Sequence, residues 1–159
     1  MKTLMKIVGG LVVCLILLLV VLRITGLEPK NRRPGLWLTG NLVTTPVTDW
    51  SFTDKIHNIE LQTETSYGLP HSVTINCIRV NDQLYFVSTY PPGVHRGWND
   101  NVTRYPNVRM KIGDNVYDRT VAVVTDPAEE QAVLQARAKK YPELKIPPGS
   151  TIHIFHLMG

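Results

Sequence analysis

Sixteen consecutive residues without a charge, Ile7 to Leu22, constrain this chain more than any other feature. A helix rising about 1.5 Å per residue would span about 24 Å here, a little short of a hydrocarbon core of about 30 Å. Lys6 and Arg23 bracket the run, and such side chains snorkel outward and lengthen the usable span. A cleaved signal peptide needs small residues in an A-x-A-like pattern after the apolar stretch, and VLRITGLEP offers none. Residues 1–27 are therefore expected to form a retained single-pass transmembrane helix in contact with membrane lipid. Cys14 follows a bulky valine inside the run, so it reads as a membrane-helix residue rather than a lipid attachment point. Basic residues flank both ends of the run, and the positive-inside rule leaves the orientation open.

Charge divides at the same boundary. The net charge is +4, yet residues 1–33 carry six Lys/Arg against the single acid Glu28, whereas residues 34–159 carry eleven against twelve. A nearly neutral domain lacks the basic footprint of a nucleic-acid binder, so no nucleic-acid partner is expected. Residues 28–35, EPKNRRPG, read as a polar, proline-bearing linker, and residues 36–159 as one domain. Cys77 is the sole cysteine of that domain, which excludes a disulfide within it and suggests a buried thiol.

The domain reads mostly as strands. In His71–Val80, Val73, Ile75 and Cys77 alternate with Ser72, Thr74 and Asn76. Asn81-Asp82 fits a two-residue hairpin turn leading into QLYFVSTY. Val108, Met110 and Ile112 alternate with Arg109 and Lys111, and TIHIFHLM reads as the last strand. Asp126 is a good N-cap, Pro127 suits the first helical position, and Glu129 completes a capping-box pattern. Leu134, Ala138 and Tyr141 would then dock this helix on a sheet. A shorter helix is expected around Asn99–Tyr105. Hairpins with few helices point to a mainly β fold, an antiparallel barrel with one or two packed helices.

No G-x-S-x-G, H-E-x-x-H, Walker or G-x-G-x-x-G pattern occurs. His153 and His156, three apart in a strand, face opposite ways and make poor joint metal ligands. Ser72, Thr74 and Asn76 share one strand face, with Ser88 near the end of the expected partner strand. That face suits either a ligand or plain solvation.

Trp98, Asn101 and YPNVRMKIG, together with SYGLPHSVTI and VVTDPAEEQAVLQARAKKYP, resemble the pyridoxamine-phosphate-oxidase-like split-barrel superfamily. The resemblance covers residues 36–159 and is nearest the deazaflavin-dependent nitroreductase-like branch. It implies a split-barrel homodimer holding FMN or a deazaflavin, less often haem, and an oxidoreductase acting on a small-molecule redox substrate. It also implies a cofactor groove lined by His71, Ser72, Thr74, Ser88, Arg96, Trp98 and Asn101, with Trp98 against the ring. The cofactor would carry the chemistry, and no protein nucleophile is expected. The chain departs from the branch at His71, where relatives place an arginine, a stronger phosphate anchor. A barrel without chemistry, used for ligand binding or docking, is the alternative, as is a haem-binding barrel.

Overall fold

The computed structural model describes every residue except Arg32, His95 and Gly159. Helix α1 runs Lys2–Thr25, past both ends of the uncharged run, and none of its residues is buried. Its 24 residues measure about 36 Å, long and apolar enough to cross a membrane. Gly26, at φ 79°, ends it and donates to the Leu22 carbonyl at 2.9 Å.

The rest is one curled sheet with two helices against it. Its strands are β1 (Asn41–Leu42), β2 (Asn58–Thr63), β3 (His71–Asn76), β4 (Ile78–Val80), β5 (Gln83–Tyr90), β6 (Asn107–Ile112), β7 (Asn115–Val123) and β8 (Thr151–Met158). The order is β3-β2-β6-β7-β8-β5-β4, antiparallel throughout, with β1 added in parallel beside β7. β3 and β4 stand at opposite ends of that order, yet only Cys77 separates them in the chain. Residues so close in sequence lie within about 7 Å of each other, so the two ends of the sheet must meet there. The sheet therefore curls into a split barrel with its seam at Cys77.

The expected hairpin between His71–Val80 and QLYFVSTY is only half formed. Asn81 and Asp82 take φ 47° and 64°, as a two-residue turn of this kind requires, and Val80 pairs with Gln83. Beyond Cys77 the first strand leaves this partner and pairs with β2 instead. Ser88 lies opposite His153 of β8, not opposite β3. One buried residue at a barrel corner reverses the pairing, and alternation alone does not report that.

Backbone groups freed at the seam are bonded by the far end of α3 (Pro127–Lys140). Lys140 Nζ donates to the carbonyls of Thr53 and Cys77 at 2.9 and 2.8 Å. The Tyr141 hydroxyl lies 2.8 Å from the carbonyls of both Cys77 and His57. The Cys77 thiol is fully buried, as expected, and burial raises its pKa.

Two apolar clusters hold the barrel. Inside it, Ile59, Leu61, Leu84, Phe86, Met110, Phe155 and Leu157 pack with Trp50, Trp98 and Val102. Outside it, Ile78, Tyr85 and Ile154 pack under Val133 and Tyr141. β5 thus buries both faces, Leu84 and Phe86 inward and Tyr85 outward, so its sequence is a continuous apolar run.

Helix α3 begins at Asp126, whose carboxylate accepts from the Ala128 amide at 3.2 Å. Of the expected stripe, Tyr141 is buried and Leu134 packs against the outer cluster, whereas Ala138 is exposed and Val133 and Arg137 are buried instead. The long stem of an arginine packs as an apolar side chain does. Glu129 does not close a capping box. Its carboxylate accepts from the Tyr85 hydroxyl at 2.8 Å and lies 3.4 Å from His156 Nδ1, so it bonds the sheet instead of its own helix.

Candidate functional site

Helix α2 (Gly97–Arg104) closes one mouth of the barrel, as the expected short helix beginning two residues earlier. Trp98 and Val102 enter the inner core, where the indole is 7% exposed and lies 5.6 Å from the Phe155 ring. Asn99 is buried and donates to Ser88 Oγ at 3.0 Å, joining the helix to β5. Asn101 donates to Thr63 Oγ1 at 3.3 Å, and that hydroxyl donates to the His71 carbonyl at 3.1 Å. Arg96 is exposed at the N-cap position of α2, without a side-chain cap bond.

A cleft of about 810 Å³ lies beside this mouth, between the N-terminal connector, residues 36–40, and strands β2, β6 and β7. Its wall includes Trp37, Thr39, Gln62, Thr63, Arg109 and Arg119, and Arg23 of the last turn of α1 reaches it. Three guanidinium groups against Glu64 and Asp118 leave one positive charge in excess.

The register explains how these side chains converge. Ser72 pairs with Gln62, Gln62 with Arg109, and Arg109 with Asp118, so the four form one row on the outer face of the sheet. Arg109 Nε and Nη2 donate to the Asp118 carboxylate at 2.7 and 2.8 Å. This fork raises the Arg109 pKa and holds Asp118 below the usual carboxylate range. Arg119 instead bonds neutral carbonyls, those of Asp118 at 2.8 Å and Thr45 at 3.1 Å, and its buried Nε has no partner. Gln62 accepts from the Leu38 amide at 2.7 Å and so holds the connector against the row.

Ser72 stands in the same row but is shut off. Gly35 bridges to it through paired backbone bonds of 2.8 and 3.0 Å, and Ser72 Oγ is fully buried without a partner. A Cβ on Gly35 would lie 2.5 Å from that oxygen and 2.2 Å from the Leu27 carbonyl, so only glycine permits this approach. Thr74 lies one row along, opposite Glu60, and Lys111 of that row forms an ion pair with Glu28 of the linker. The linker thus covers the strand face that the sequence offered as a groove.

The residues named from the sequence therefore separate. His71, Ser72 and Thr74 share β3, Ser88 lies buried on β5, and Arg96, Trp98 and Asn101 belong to α2. None of the seven lines the cleft, although Asn101 and His71 hold Thr63, which does. Burial depresses the His71 pKa. The cleft residues Trp37, Gln62, Arg109 and Arg119 were missed. Gln62 and Arg119 carry no motif, and only the arginine alternation in VRMKI marked Arg109 as outward-facing. Among the described residues, no three His, Cys, Asp or Glu side chains gather as a metal site.

No protein-family model matches the sequence. A search of curated proteins also returns no match. Solved structures do match. One is a domain-swapped dimer, 21% identical over 65% of this chain and 81% of its own, with a TM-score of 0.54. A second, from Listeria innocua and provisionally named a pyridoxamine 5'-phosphate oxidase, is 14% identical over 68% of this chain and 87% of its own, at 0.52. A third, the FAD-binding protein from Mycobacterium smegmatis, is 14% identical over 72% of this chain and 88% of its own, at 0.50. At such identities the likeness is one of fold: behind its apolar N-terminal helix, the chain has a split barrel like those of these structures.

Proposed function

We propose that this protein is a membrane-anchored, homodimeric split barrel that holds a flavin- or deazaflavin-type cofactor in the 810 Å³ cleft and acts as an oxidoreductase on a small molecule. The observation that carries the reading is the wall of that cleft: an indole, several hydroxyls and a cationic excess around one space. Its volume falls within the range of about 300–1,000 Å³ usual for cofactor sites. Arg119 fits an anionic cofactor, because its charge meets no carboxylate at ion-pair distance among the described residues and its Nε has no partner. Arg109 contributes less, since Asp118 already occupies its fork.

In this reading Arg119 and Arg23 hold the phosphate, and Trp37 covers the ring as an aromatic face can. Thr63, fixed by Asn101 and the His71 carbonyl, orients the polar edge of the ring. A cofactor of this class supplies hydride transfer, and the protein binds, orients and shields it. Ser72, Ser88 and Trp98 serve as scaffold rather than as ligands. The FAD-binding and dimeric structures of like fold support the cofactor class and the dimer, and α1 supports the membrane anchor.

The experiment is a visible spectrum of the full chain in detergent, as purified and after incubation with FMN, a deazaflavin or haem. The expected result is flavin-type uptake, abolished by Arg119→Met and weakened about tenfold by Trp37→Ala. No uptake of any chromophore would refute the reading. It would favour a barrel used for docking, to which the sealing of Ser72 by Gly35 also points. A Soret band alone would assign haem in place of a flavin.

A further inference from the structure

A second cavity, of about 210 Å³, lies on the far side of the sheet from the inner core, where the end of β5 meets the last turn of α3 and the 142–150 loop. Arg137, Lys145, Thr89 and Ser150 line it, with Tyr90, Pro91, Leu144 and Pro147 as its apolar wall. Three features make it more than a packing gap. Arg137 is 9% exposed, yet it makes a single bond, from Nη1 to the Leu144 carbonyl at 2.9 Å. No carboxylate lies within ion-pair distance of it among the described residues, and the other cation of the lining, Lys145, adds charge of the same sign. Thr89 Oγ1 and Ser150 Oγ are both buried without a hydrogen-bond partner.

Buried hydroxyls are ordinarily bonded, and buried charges are ordinarily paired. Here two unpartnered hydroxyls and one unpaired guanidinium surround one space. Burial lowers the Arg137 pKa, and Tyr141 and Glu143 only partly offset this. A tetrahedral oxyanion would answer all three groups: the guanidinium fork takes two of its oxygens, and the hydroxyls rotate to donate to the others. We propose that the Arg137–Ser150–Thr89 cavity is a binding site for a small oxyanion of the phosphate class, with space against Tyr90 and Leu144 for a compact organic group. It is separate from the large cleft, with which it shares no lining residue.

The test is calorimetry of the full chain in detergent with inorganic phosphate at constant ionic strength, with sulfate and acetate as comparison anions. Saturable binding of phosphate is expected, with sulfate competing and acetate weaker. Arg137→Met keeps the stem that packs on the sheet and removes the charge, so it should raise Kd about tenfold or more. Ser150→Ala should raise it by a few fold, and this variant decides the matter if Arg137→Met does not fold. Arg119→Met separates the large cleft, because it should leave this binding intact. Failure to saturate would overturn the proposal. So would binding unchanged by Arg137→Met or by Ser150→Ala, or binding lost with Arg119→Met alone.

Discussion

Tyr141→Phe tests the account of the barrel seam. The ring is 1% exposed and stays packed in the variant, so the substitution removes one hydroxyl and little else. That hydroxyl lies 2.8 Å from the carbonyls of Cys77 and His57, the point where the sheet changes partners. Lys140 still donates to the Cys77 carbonyl at 2.8 Å, and the His57 carbonyl keeps only a longer bond, of 3.3 Å, from Asn76 Nδ2. Losing one hydrogen bond while each acceptor keeps another donor costs about 0.5–1.5 kcal/mol. At about 2–4 °C per kcal/mol for a chain of this size, a loss of about 1 kcal/mol lowers Tm by roughly 2–4 °C. The pH dependence adds an independent sign. Burial holds the Tyr141 phenol above its ordinary value of 10.0. Its contribution is therefore complete below about pH 10 and is lost as pH rises through the folded value. The gap between wild type and variant should narrow above that pH, while Tyr85, pushed up to about 12, keeps its own alkaline dependence in both. Urea unfolding of the full chain in detergent, followed by tryptophan fluorescence, measures both effects. A variant within about 0.3 kcal/mol of wild type at pH 7 would refute the claim that this hydroxyl closes the seam.

Gly35→Ala should lower stability and expose the linker to protease, because its Cβ meets the Leu27 carbonyl at 2.2 Å and Ser72 Oγ at 2.5 Å. Limited proteolysis that leaves residues 28–40 as resistant as in wild type would contradict this. His71 supplies an acid-side prediction. Burial lowers its pKa, so neutral His71 contributes stability that is present above about pH 6.5 and lost as pH falls through the folded value. The difference in Tm between pH 7.5 and pH 5 should shrink in His71→Gln.

Much of the fold was legible because its signals are local. The apolar run, the Asn81-Asp82 turn, the Asp126 cap and the alternation in β6 each lie within a few residues. The partner of β3 was not legible, since Cys77 reads as one more apolar residue in an alternating strand and nothing local marks it as a corner. The cleft was hidden for the same reason. Its row joins Gln62, Arg109 and Asp118 from three strands, and only the register brings them together. Trp37 arrives through the connector, whose course no periodicity describes, and Arg119 follows Asp118 on β7. The α2 segment was legible in the sequence, and the structure turns its tryptophan inward against Phe155.

Which tryptophan serves the site is therefore the sharpest remaining question, and the two candidates differ in burial. Trp98 packs with Phe155 inside the barrel, so Trp98→Ala removes a large core side chain at a cost of about 3–5 kcal/mol. It removes nothing from the cleft wall. Trp37 is half-buried and lines the cleft, so Trp37→Ala forfeits less packing but exposes one face of any ring bound there. The two variants should dissociate: Trp98→Ala lowers Tm by more and leaves ligand affinity of the folded fraction unchanged, whereas Trp37→Ala does the reverse. Flavin titration beside thermal melts of both variants separates these effects. If Trp98→Ala weakens binding more than Trp37→Ala, the ligand reaches past α2 into the barrel mouth, and the cleft beside it is not the site.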